Sequence, residues 1–402
     1  MNESTNWSPQ QLTALDRVGR WLKAKDKPVF QLAGFAGTGK TTLARHLAST
    51  VDGPVYFAAY TGKAAHVLSK SGATNVSTIH KLIYTPKGKS QQRLKDLEAE
   101  RAKLLTHKPV PTTMLEKVEA AIQAEKINLA RPMFQLNSES PLLGAALLVV
   151  DEYSMIDTQM GEDLLSFGCP ILALGDPGQL PPVQGTSFFS DKPDILLTEI
   201  HRQARDNPII WMSQEVREGR VLRPGSYGSS RVVPYQQLPR DELRSVVLST
   251  DQLLVGRNAT RILSNRRARE LLGRTDALPQ AGDKLVCLRN NHEVGLLNGQ
   301  LWKARADSIF DGDYVLLDIE SEEGTRVDIS AHPHYFHGNK PEYWERKEAE
   351  EFDYGYALTV HKSQGSQWNN VLLFDEWFGK DRRQWLYTAI TRAAERIDVV
   401  MM

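Results

Sequence analysis

A glycine-rich turn constrains this chain more than any other part of its sequence. Residues 34–41 read GFAGTGKT, which fits the pattern G-x-x-x-x-G-K-[ST]. An apolar run at 29–33 precedes the turn, and a segment of helical character at 42–49 follows it. Glycines allow backbone N–H groups to surround a phosphate, and the start of a helix favours its negative charge. A strand, this turn and a helix predict an α/β fold with a parallel sheet.

Four side chains, two in this turn and two farther along the chain, have a predicted role in nucleotide chemistry. Lys40 supplies a point charge for the β- and γ-phosphates, and the hydroxyl of Thr41 can bind Mg²⁺. Asp151 and Glu152 follow the apolar run 147–150, at the edge of a parallel sheet where ligands bind. We expect Asp151 to hold Mg²⁺ and Glu152 to polarise the attacking water.

A proline- and glycine-rich segment at 175–182, GDPGQLPP, follows the next strand candidate. Its Gln179 can both donate and accept hydrogen bonds, which suits a neutral sensor of the γ-phosphate. The alternative interpretation of the segment is a simple turn without a ligand.

Length and composition limit the class of protein. With 402 residues, more than one domain is expected. The 49 basic and 49 acidic residues cancel, so net charge does not indicate a partner. Cys169 and Cys287 are too few for a disulfide framework or a cysteine-based zinc site. The longest apolar run, 142–150, is too short for a membrane span, and no secretion signal is visible. We therefore expect a reducing, cytoplasmic compartment and no membrane.

The pattern along the chain predicts an organisation into domains. Strand candidates at 55–59, 147–150 and 171–174 extend the first α/β unit, and those at 253–255, 285–288 and 371–374 belong to a second. The predicted boundaries are a first domain at 1–84 and 141–197, a helical insertion at 85–140, a second domain at 198–305 and 353–402, and a β-rich insertion at 306–352.

The order of the motifs resembles that of superfamily 1 helicases of the 5′→3′ class, which includes the RecD and Dda types. The matching segments are 34–41 (motif I), 58–65 (Ia), 77–81, 151–154 (II), 175–182 (III), 197–203 (IV), 358–365 (V) and 386–393 (VI). Asn298-Gly299 is similar to the second domain of RecD-type proteins. Motifs V and VI are long and distinguish the chain from a generic P-loop ATPase.

The resemblance implies two RecA-like domains with ATP and Mg²⁺ between them, and an SH3-like β insertion. It assigns the residues Gln11, Gly37, Thr38, Gly39, Lys40, Thr41, Thr42 and Gly365 to nucleotide binding, with Gln11 reading adenine. Arg202 and Arg392 would act from the second domain as arginine fingers. On the opposite face, the resemblance implies DNA contacts by Thr61, Lys63, Thr78, His80, Thr359, His361, Lys362 and Ser363.

The implied activity is unwinding of duplex DNA, at junctions of single- and double-stranded DNA, in replication, recombination or repair. The layout resembles most the compact phage helicases of the Dda type, and a monomer is expected, with a single-strand-binding protein or a replisome component as possible partners. Residues 85–140 occupy the place of the family's pin, the element that splits the duplex, but their composition is helical. The alternatives are a translocase that displaces proteins, a P-loop ATPase that is not a helicase, and a scaffold with a silent nucleotide site.

Overall fold

The computed structural model describes residues 7–86, 92–108, 111–130, 134–181, 187–189, 192–200, 207–291, 294–322, 324–340 and 349–402. Up to residue 200 the elements are α1 (Pro9–Ala24), β1 (Val29–Gly34), α2 (Lys40–Ala48), β2 (Val55–Ala59), α3 (Gly62–Lys70), β3 (Val76–Thr78), α4 (Ile79–Ile83), β4 (Tyr84–Pro86), α5 (Gln92–Thr106), α6 (Thr112–Ala130), β5 (Phe134–Leu136), β6 (Leu147–Asp151), α7 (Thr158–Leu165), β7 (Ile171–Gly175) and β8 (Ile195–Leu197).

The chain from residue 207 onward has a helix as its first described element. Its elements are α8 (Pro208–Arg217), β9 (Gly225–Tyr227), β10 (Ser230–Pro234), α9 (Arg240–Ser249), β11 (Gln252–Val255), α10 (Asn258–Leu271), β12 (Lys284–Cys287), β13 (Leu301–Ala304), β14 (Ile309–Asp311), β15 (Tyr314–Ser321), β16 (Arg326–Ala331), β17 (Phe352–Tyr354), β18 (Ala357–Thr359), β19 (Trp368–Asp375), α11 (Arg382–Ile390) and β20 (Ala393–Met401).

Domain 1 is built on a parallel sheet in the order β3-β2-β6-β7-β1-β8. The strands of this sheet are apolar throughout, and strand β6 shows the reason. Leu147 and Val149 pack in the cluster formed with α1 and α2, whereas Leu148 and Val150 pack in the cluster formed with α4 and α7. Both faces are therefore buried, and each such side chain stabilises the fold by about 1.5–3 kcal/mol. The strands predicted at 29–33, 55–59, 147–150 and 171–174 are confirmed.

The segment between β4 and β5 projects from domain 1 as an arm. Strands β4 and β5 pair antiparallel at its base, and α5 and α6 pack against each other through a small apolar cluster around Leu104, Val118 and Ile122. The predicted helical hairpin is confirmed. At the base, the Tyr84 hydroxyl donates a hydrogen bond to Asp163 on α7, which fixes the arm to the domain.

Domain 2 is built on a second sheet in the order β18-β11-β19-β20-β10-β9, parallel except for the antiparallel pair β9–β10. Helices α8 and α11 cover one face and α9 covers the other. The strands predicted at 253–255 and 371–374 are confirmed, and so is the α/β class with two RecA-like sheets.

A curled antiparallel sheet, called here the inserted sheet, contains β12 to β17. The prediction that 285–288 belongs to the second parallel sheet is wrong, because Leu285 pairs antiparallel with both Trp302 and Tyr354. A short apolar run has the same appearance in either kind of sheet, so only the pairing distinguishes them. The inserted sheet extends from Lys284 to Tyr354, beyond the 306–352 segment expected from the sequence. Among the helices that the structure describes, none has the length and apolar character to cross a bilayer.

Candidate nucleotide cleft and nucleic-acid groove

The glycine-rich turn between β1 and α2 forms a phosphate loop. Gly37 and Gly39 have φ angles of 77° and 78°, which glycine adopts at little cost, and Gly39 caps the N-terminus of α2. A Cβ atom on Gly34 would lie 2.6 Å from Oγ1 of Thr38, so a side chain at residue 34 would not fit. The Thr38 hydroxyl donates to the carbonyl of Phe35 at 2.8 Å and holds the turn closed.

Lys40 folds back over the loop. Its Nζ atom donates to the carbonyl oxygens of Gly34 at 2.6 Å and Phe35 at 3.1 Å. The ammonium group is thereby kept at the mouth of the loop, where a phosphate would replace the two carbonyls as its partner.

Thr41 and Asp151 supply oxygen ligands of the kind that Mg²⁺ prefers. The Thr41 hydroxyl donates to Oδ2 of Asp151 at 3.4 Å, so both oxygens lie at the same point of the cleft. Burial, together with the neighbouring Glu152, raises the pKa of Asp151, and the charge of Lys40 opposes that shift. A cation held at this point would favour the ionised carboxylate, and the donor set therefore fits a magnesium site.

Glu152 has a left-handed backbone conformation, with φ 56° and ψ 48°. Such a conformation costs a non-glycine residue about 1–2 kcal/mol. It allows the Glu152 amide to donate to Oδ1 of Asp151 at 2.9 Å. The strain is thus stored between the two acidic residues of the predicted site.

Gln11 contacts the phosphate loop from α1. It forms a capping box with Ser8, and its Nε2 atom donates to the carbonyl of Thr38 at 3.0 Å. The reading of adenine by Gln11 stays a prediction. Thr42, the next residue after Thr41 on α2, is exposed.

Gln179 lies in the loop after β7 and is 9% exposed. Its Oε1 atom is buried and finds no hydrogen-bond partner among the described residues. A buried acceptor without a partner is costly, so this amide is available for a ligand. The sensing of the γ-phosphate by Gln179 is consistent with this placement and stays a prediction.

Domain 2 contacts the phosphate loop through Arg217 and Tyr387, and it contacts the loop after β7 through Tyr387 and Thr388. The Tyr387 hydroxyl lies 3.1 Å from the amide nitrogen of Ala36 and 2.6 Å from Oδ2 of Asp176. The sequence motifs did not identify Arg217, because an arginine at the end of a helix carries no local signal.

Of the two predicted arginine fingers, the structure describes Arg392. Arg392 is 5% exposed, and its guanidinium donates to the carbonyls of Thr388 and Ser366, both at 3.1 Å, and to the Thr391 hydroxyl at 3.2 Å. Within the described part of the chain, its hydrogen bonds stay in domain 2. Arg202 lies outside the described residues.

A groove of 330 Å³ lies between the two domains and the inserted sheet. Its lining comprises Tyr60, Thr61, Lys63, Met155, Val286, Cys287, Leu288, Asn298, Gly299, Leu358, His361, Lys362, Gln364 and Ser366. Hydroxyl, amide, imidazole and ammonium groups alternate with apolar walls, a combination that suits a nucleic-acid strand with its phosphates and bases.

Four of the predicted DNA contacts meet in this groove: Thr61, Lys63, His361 and Lys362. The ammonium of Lys63 lies 4.7 Å from the Trp368 ring centre, so domain 1 reaches domain 2 here. Thr61 caps α3 by accepting the Ala64 amide at 3.2 Å.

The other four predicted DNA contacts do not line the groove. Thr78 caps α4, and the ring of the exposed His80 lies 6.2 Å from that of Tyr60. Thr359 is 7% exposed and accepts the Lys362 amide at 3.3 Å. Ser363 is fully buried and donates to the Val360 carbonyl at 2.8 Å.

Gly365 lies on the groove side instead of at the phosphate loop. A Cβ atom there would be 3.0 Å from Cβ of Ala64 and 3.2 Å from Oγ1 of Thr61, and its φ is 73°. Its predicted role in nucleotide binding therefore has no direct support from this geometry. The positive φ and the close approach of Ala64 and Thr61 explain why glycine fits this position.

Sequence motifs also missed part of the groove wall. Val286, Cys287 and Leu288 come from β12 and the turn after it, and their place depends on long-range strand pairing. Asn298 and Gly299, noted in the sequence, lie beside them.

Two family models match the chain. The model described as "AAA domain" matches residues 7–229, and the model described as "UvrD-like helicase C-terminal domain" matches residues 354–400. Among curated proteins, the chain is 27% identical over 399 residues to the ATP-dependent RecD2 DNA helicase of Deinococcus radiodurans, covering 91% of this chain and 46% of the relative. It is 30% identical over 212 residues to uncharacterized protein R530 of Acanthamoeba polyphaga mimivirus, covering 48% and 38%. The chain thus spans less than half the length of these relatives.

Solved structures of similar fold include two Pif1 helicases. The Bacteroides protein, crystallised with single-stranded DNA, superposes with a TM-score of 0.55 at 16% identity and covers 98% of this chain and 92% of its own. The Candida albicans protein gives a TM-score of 0.52 at 18% identity, with coverages of 98% and 94%. At this identity the likeness concerns the fold.

Proposed function

The chain belongs to the AAA domain family, and from this premise we propose that it is a superfamily 1 protein of the RecD and Pif1 type and an ATP-dependent DNA helicase. It moves 5′→3′ along single-stranded DNA and separates duplex DNA. The observation that carries the proposal is the pair of clefts between the same two domains: one holds the phosphate loop, and the other is the groove lined by Thr61, Lys63, His361 and Lys362.

In the nucleotide cleft, Lys40 leaves its two carbonyl partners and neutralises the β- and γ-phosphates. Thr41 and Asp151 would hold Mg²⁺, which would supply positive charge to neutralise the phosphates. Glu152 orients the attacking water and Gln179 hydrogen-bonds the γ-phosphate. Gln11 contributes to the nucleotide site through its contact with the loop.

Arg392, together with Arg202, supplies positive charge to the transferred phosphoryl group. Because its guanidinium is bonded to carbonyls of domain 2, Arg392 must exchange those partners when the cleft closes on ATP. Such a finger can raise the rate by about 10³–10⁵ and makes hydrolysis depend on closure.

The groove holds the DNA strand by the sugar–phosphate backbone of the DNA and does not recognise a particular base sequence. Thr61, Lys63, His361 and Lys362 contact phosphates and sugars, and Tyr60 offers an aromatic face to a base. Thr359 and Ser363 stabilise the segment that carries His361 and Lys362 through hydrogen bonds to its backbone. Thr78 caps α4, and His80 lies beside Tyr60. The Bacteroides Pif1 protein, which shares the fold, was crystallised with single-stranded DNA.

Each ATP cycle closes and reopens the cleft, and the two domains hold the strand in alternation. We propose that this strand separation takes place in the cytoplasm, at junctions of single- and double-stranded DNA, during DNA replication, recombination or repair. The finer likeness to Dda stays a prediction, because the relatives and neighbours described above are RecD2 and Pif1 proteins.

The test is strand release from two partial duplexes, one with a 5′ single-stranded tail and one with a 3′ tail, in the presence of ATP and Mg²⁺. We expect release from the 5′-tailed substrate only, and none with Lys40→Ala. Release only from the 3′-tailed substrate would reverse the proposed direction. DNA-stimulated ATP hydrolysis without release would favour a translocase that displaces proteins. ATP hydrolysis that DNA does not stimulate would exclude both a helicase and a translocase.

A further inference from the structure

The Tyr387 side chain on α11 links domain 2 to two parts of the nucleotide cleft at once. Its hydroxyl accepts a hydrogen bond from the Ala36 amide at 3.1 Å and donates one to Oδ2 of Asp176 at 2.6 Å. Ala36 belongs to the first turn of the phosphate loop, and Asp176 begins the loop that contains Gln179. One hydroxyl group of domain 2 therefore fixes two loops of domain 1 relative to each other.

The surroundings of this hydroxyl keep its geometry fixed. Tyr387 is 1% exposed and Asp176 is 2% exposed. Burial raises the pKa of Tyr387 well above its ordinary value, so the phenol stays neutral and remains a donor to Asp176. A Cβ atom on Gly178 would lie 2.9 Å from the Tyr387 ring, so the ring approaches this loop as closely as a glycine allows.

The same loop is bonded to the wall of the nucleic-acid groove. The Leu180 amide donates to Oγ1 of Thr388 at 3.0 Å, and the Leu180 carbonyl accepts from Nε2 of Gln364 at 3.1 Å. Gln364 also lines the groove. A continuous series of bonded groups thus leads from the groove through Leu180 and Asp176 to Tyr387 and the phosphate loop.

We propose that Tyr387 is a positioning residue through which an occupied groove sets the phosphate loop for hydrolysis. This inference rests on the proposed function. A strand in the groove fixes Gln364 and, through Leu180, the loop that carries Asp176 and Gln179. The Tyr387 hydroxyl then holds Asp176 and Ala36 in one arrangement, and it leaves both when the domains separate. DNA stimulation of ATP hydrolysis therefore depends on this hydroxyl.

Tyr387→Phe keeps the ring and removes only the hydroxyl. We expect kcat for ATP hydrolysis at saturating single-stranded DNA to fall on the order of tenfold, with the KM for ATP and the Kd for oligo(dT) within about threefold of wild type. Hydrogen exchange of a peptide covering residues 34–39, measured without nucleotide, should become faster, because the Ala36 amide loses its acceptor.

Thr388→Val, which removes the acceptor of the Leu180 amide, should also lower DNA stimulation of ATP hydrolysis. In the double variant, the losses caused by Tyr387→Phe and Thr388→Val should combine less than multiplicatively.

A matched control is available in domain 2. The Tyr356 hydroxyl also donates to a buried carboxylate, Asp283, at 2.8 Å, but this pair lies at the inserted sheet. Tyr356→Phe should lower the melting temperature and leave kcat and exchange at 34–39 unchanged. An equal loss of kcat in Tyr356→Phe would assign the effect to stability and overturn the proposal. Wild-type stimulation or unchanged exchange at 34–39 in Tyr387→Phe would overturn it as well. If DNA does not stimulate the wild-type protein, the proposed function itself fails.

Discussion

The guanidinium carbon of Arg217 lies 3.7 Å from the centre of the Phe35 ring. Phe35 is part of the phosphate loop, and Arg217 is the last residue of α8 in domain 2. The Phe35 ring also packs against the main apolar cluster of domain 2. A cation and an apolar surface of one domain thus enclose a side chain of the other, in the cleft where ATP is proposed to bind.

Arg217→Ala is expected to weaken closure of this cleft. A partly desolvated cation–π contact contributes about 1 kcal/mol, which corresponds to roughly a fivefold rise in the KM for ATP. Steady-state hydrolysis at saturating DNA measures it. Arg223→Ala, at an exposed arginine of the same domain, serves as the control and should leave KM unchanged. Equal KM values for the two variants would contradict a role of Arg217 in closure.

Lys40→Ala should lower DNA-stimulated ATP hydrolysis by at least about 100-fold, since it removes the charge that meets the phosphates. The melting temperature should change little, because among the described residues the ammonium donates to the loop carbonyls of Gly34 and Phe35 and takes no part in an apolar cluster. Hydrolysis and thermal unfolding of the same preparation test both statements. Full DNA-stimulated ATP hydrolysis by Lys40→Ala would contradict the proposed function.

Lys362 and its neighbour Ser363 should behave differently toward DNA. Lys362 is exposed at the groove, so Lys362→Ala should weaken binding of oligo(dT) and reduce the slope of log K against log salt by about 1. Ser363→Ala should leave that slope unchanged, because its hydroxyl is buried against the Val360 carbonyl. Fluorescence anisotropy at several salt concentrations distinguishes the two. A slope change in Ser363→Ala would mean that the loop rearranges on DNA.

The Cys287 thiol should make stability fall at alkaline pH. Burial raises its pKa from about 9 to about 12. The folded chain therefore keeps a proton that the unfolded chain loses, and the free energy of unfolding decreases between those values, by at most about 1.4 kcal/mol per pH unit. Cys287→Ala should remove this part of the slope in urea unfolding at pH 8, 9 and 10. Cys169→Ala in domain 1, where burial raises the thiol pKa to about 11, should remove a separate part. Identical slopes in wild type and both variants would refute the assignment.

The arm should be needed for strand separation and dispensable for hydrolysis. Replacing residues 92–130 with a short Gly-Ser linker leaves the pairing of Tyr84 with Leu136 at the base. We expect DNA-stimulated ATPase within about twofold of wild type, because the nucleotide cleft and the groove lie outside the arm. Release from the 5′-tailed duplex should be lost. Unwinding at the wild-type rate would place the splitting element elsewhere.

Sequence reasoning was most accurate where a site is built from adjacent residues. The phosphate loop and Asp151 are local signals, because a strand and the turn after it are consecutive in the chain. The groove is assembled by long-range pairing, and residues such as Val286 carry no local mark of their partners. Gly365 shows the same limit: its motif is a local pattern, yet the side of the cleft that this glycine faces depends on the packing of α3. Arg217 had no signal, since its partner Phe35 is far away in sequence.

Phe35 and Leu180 belong to domain 1 by chain position, yet both pack with the apolar cluster of domain 2. The interior of domain 2 is therefore completed by two side chains of domain 1. A fragment that ends between the domains would present these two side chains and the facing surface of α11 to water, where they favour self-association. Folding and opening of the cleft are consequently linked. Any step that fully separates the domains exposes apolar surface to water, and this unfavourable exposure favours the return of the domains to contact.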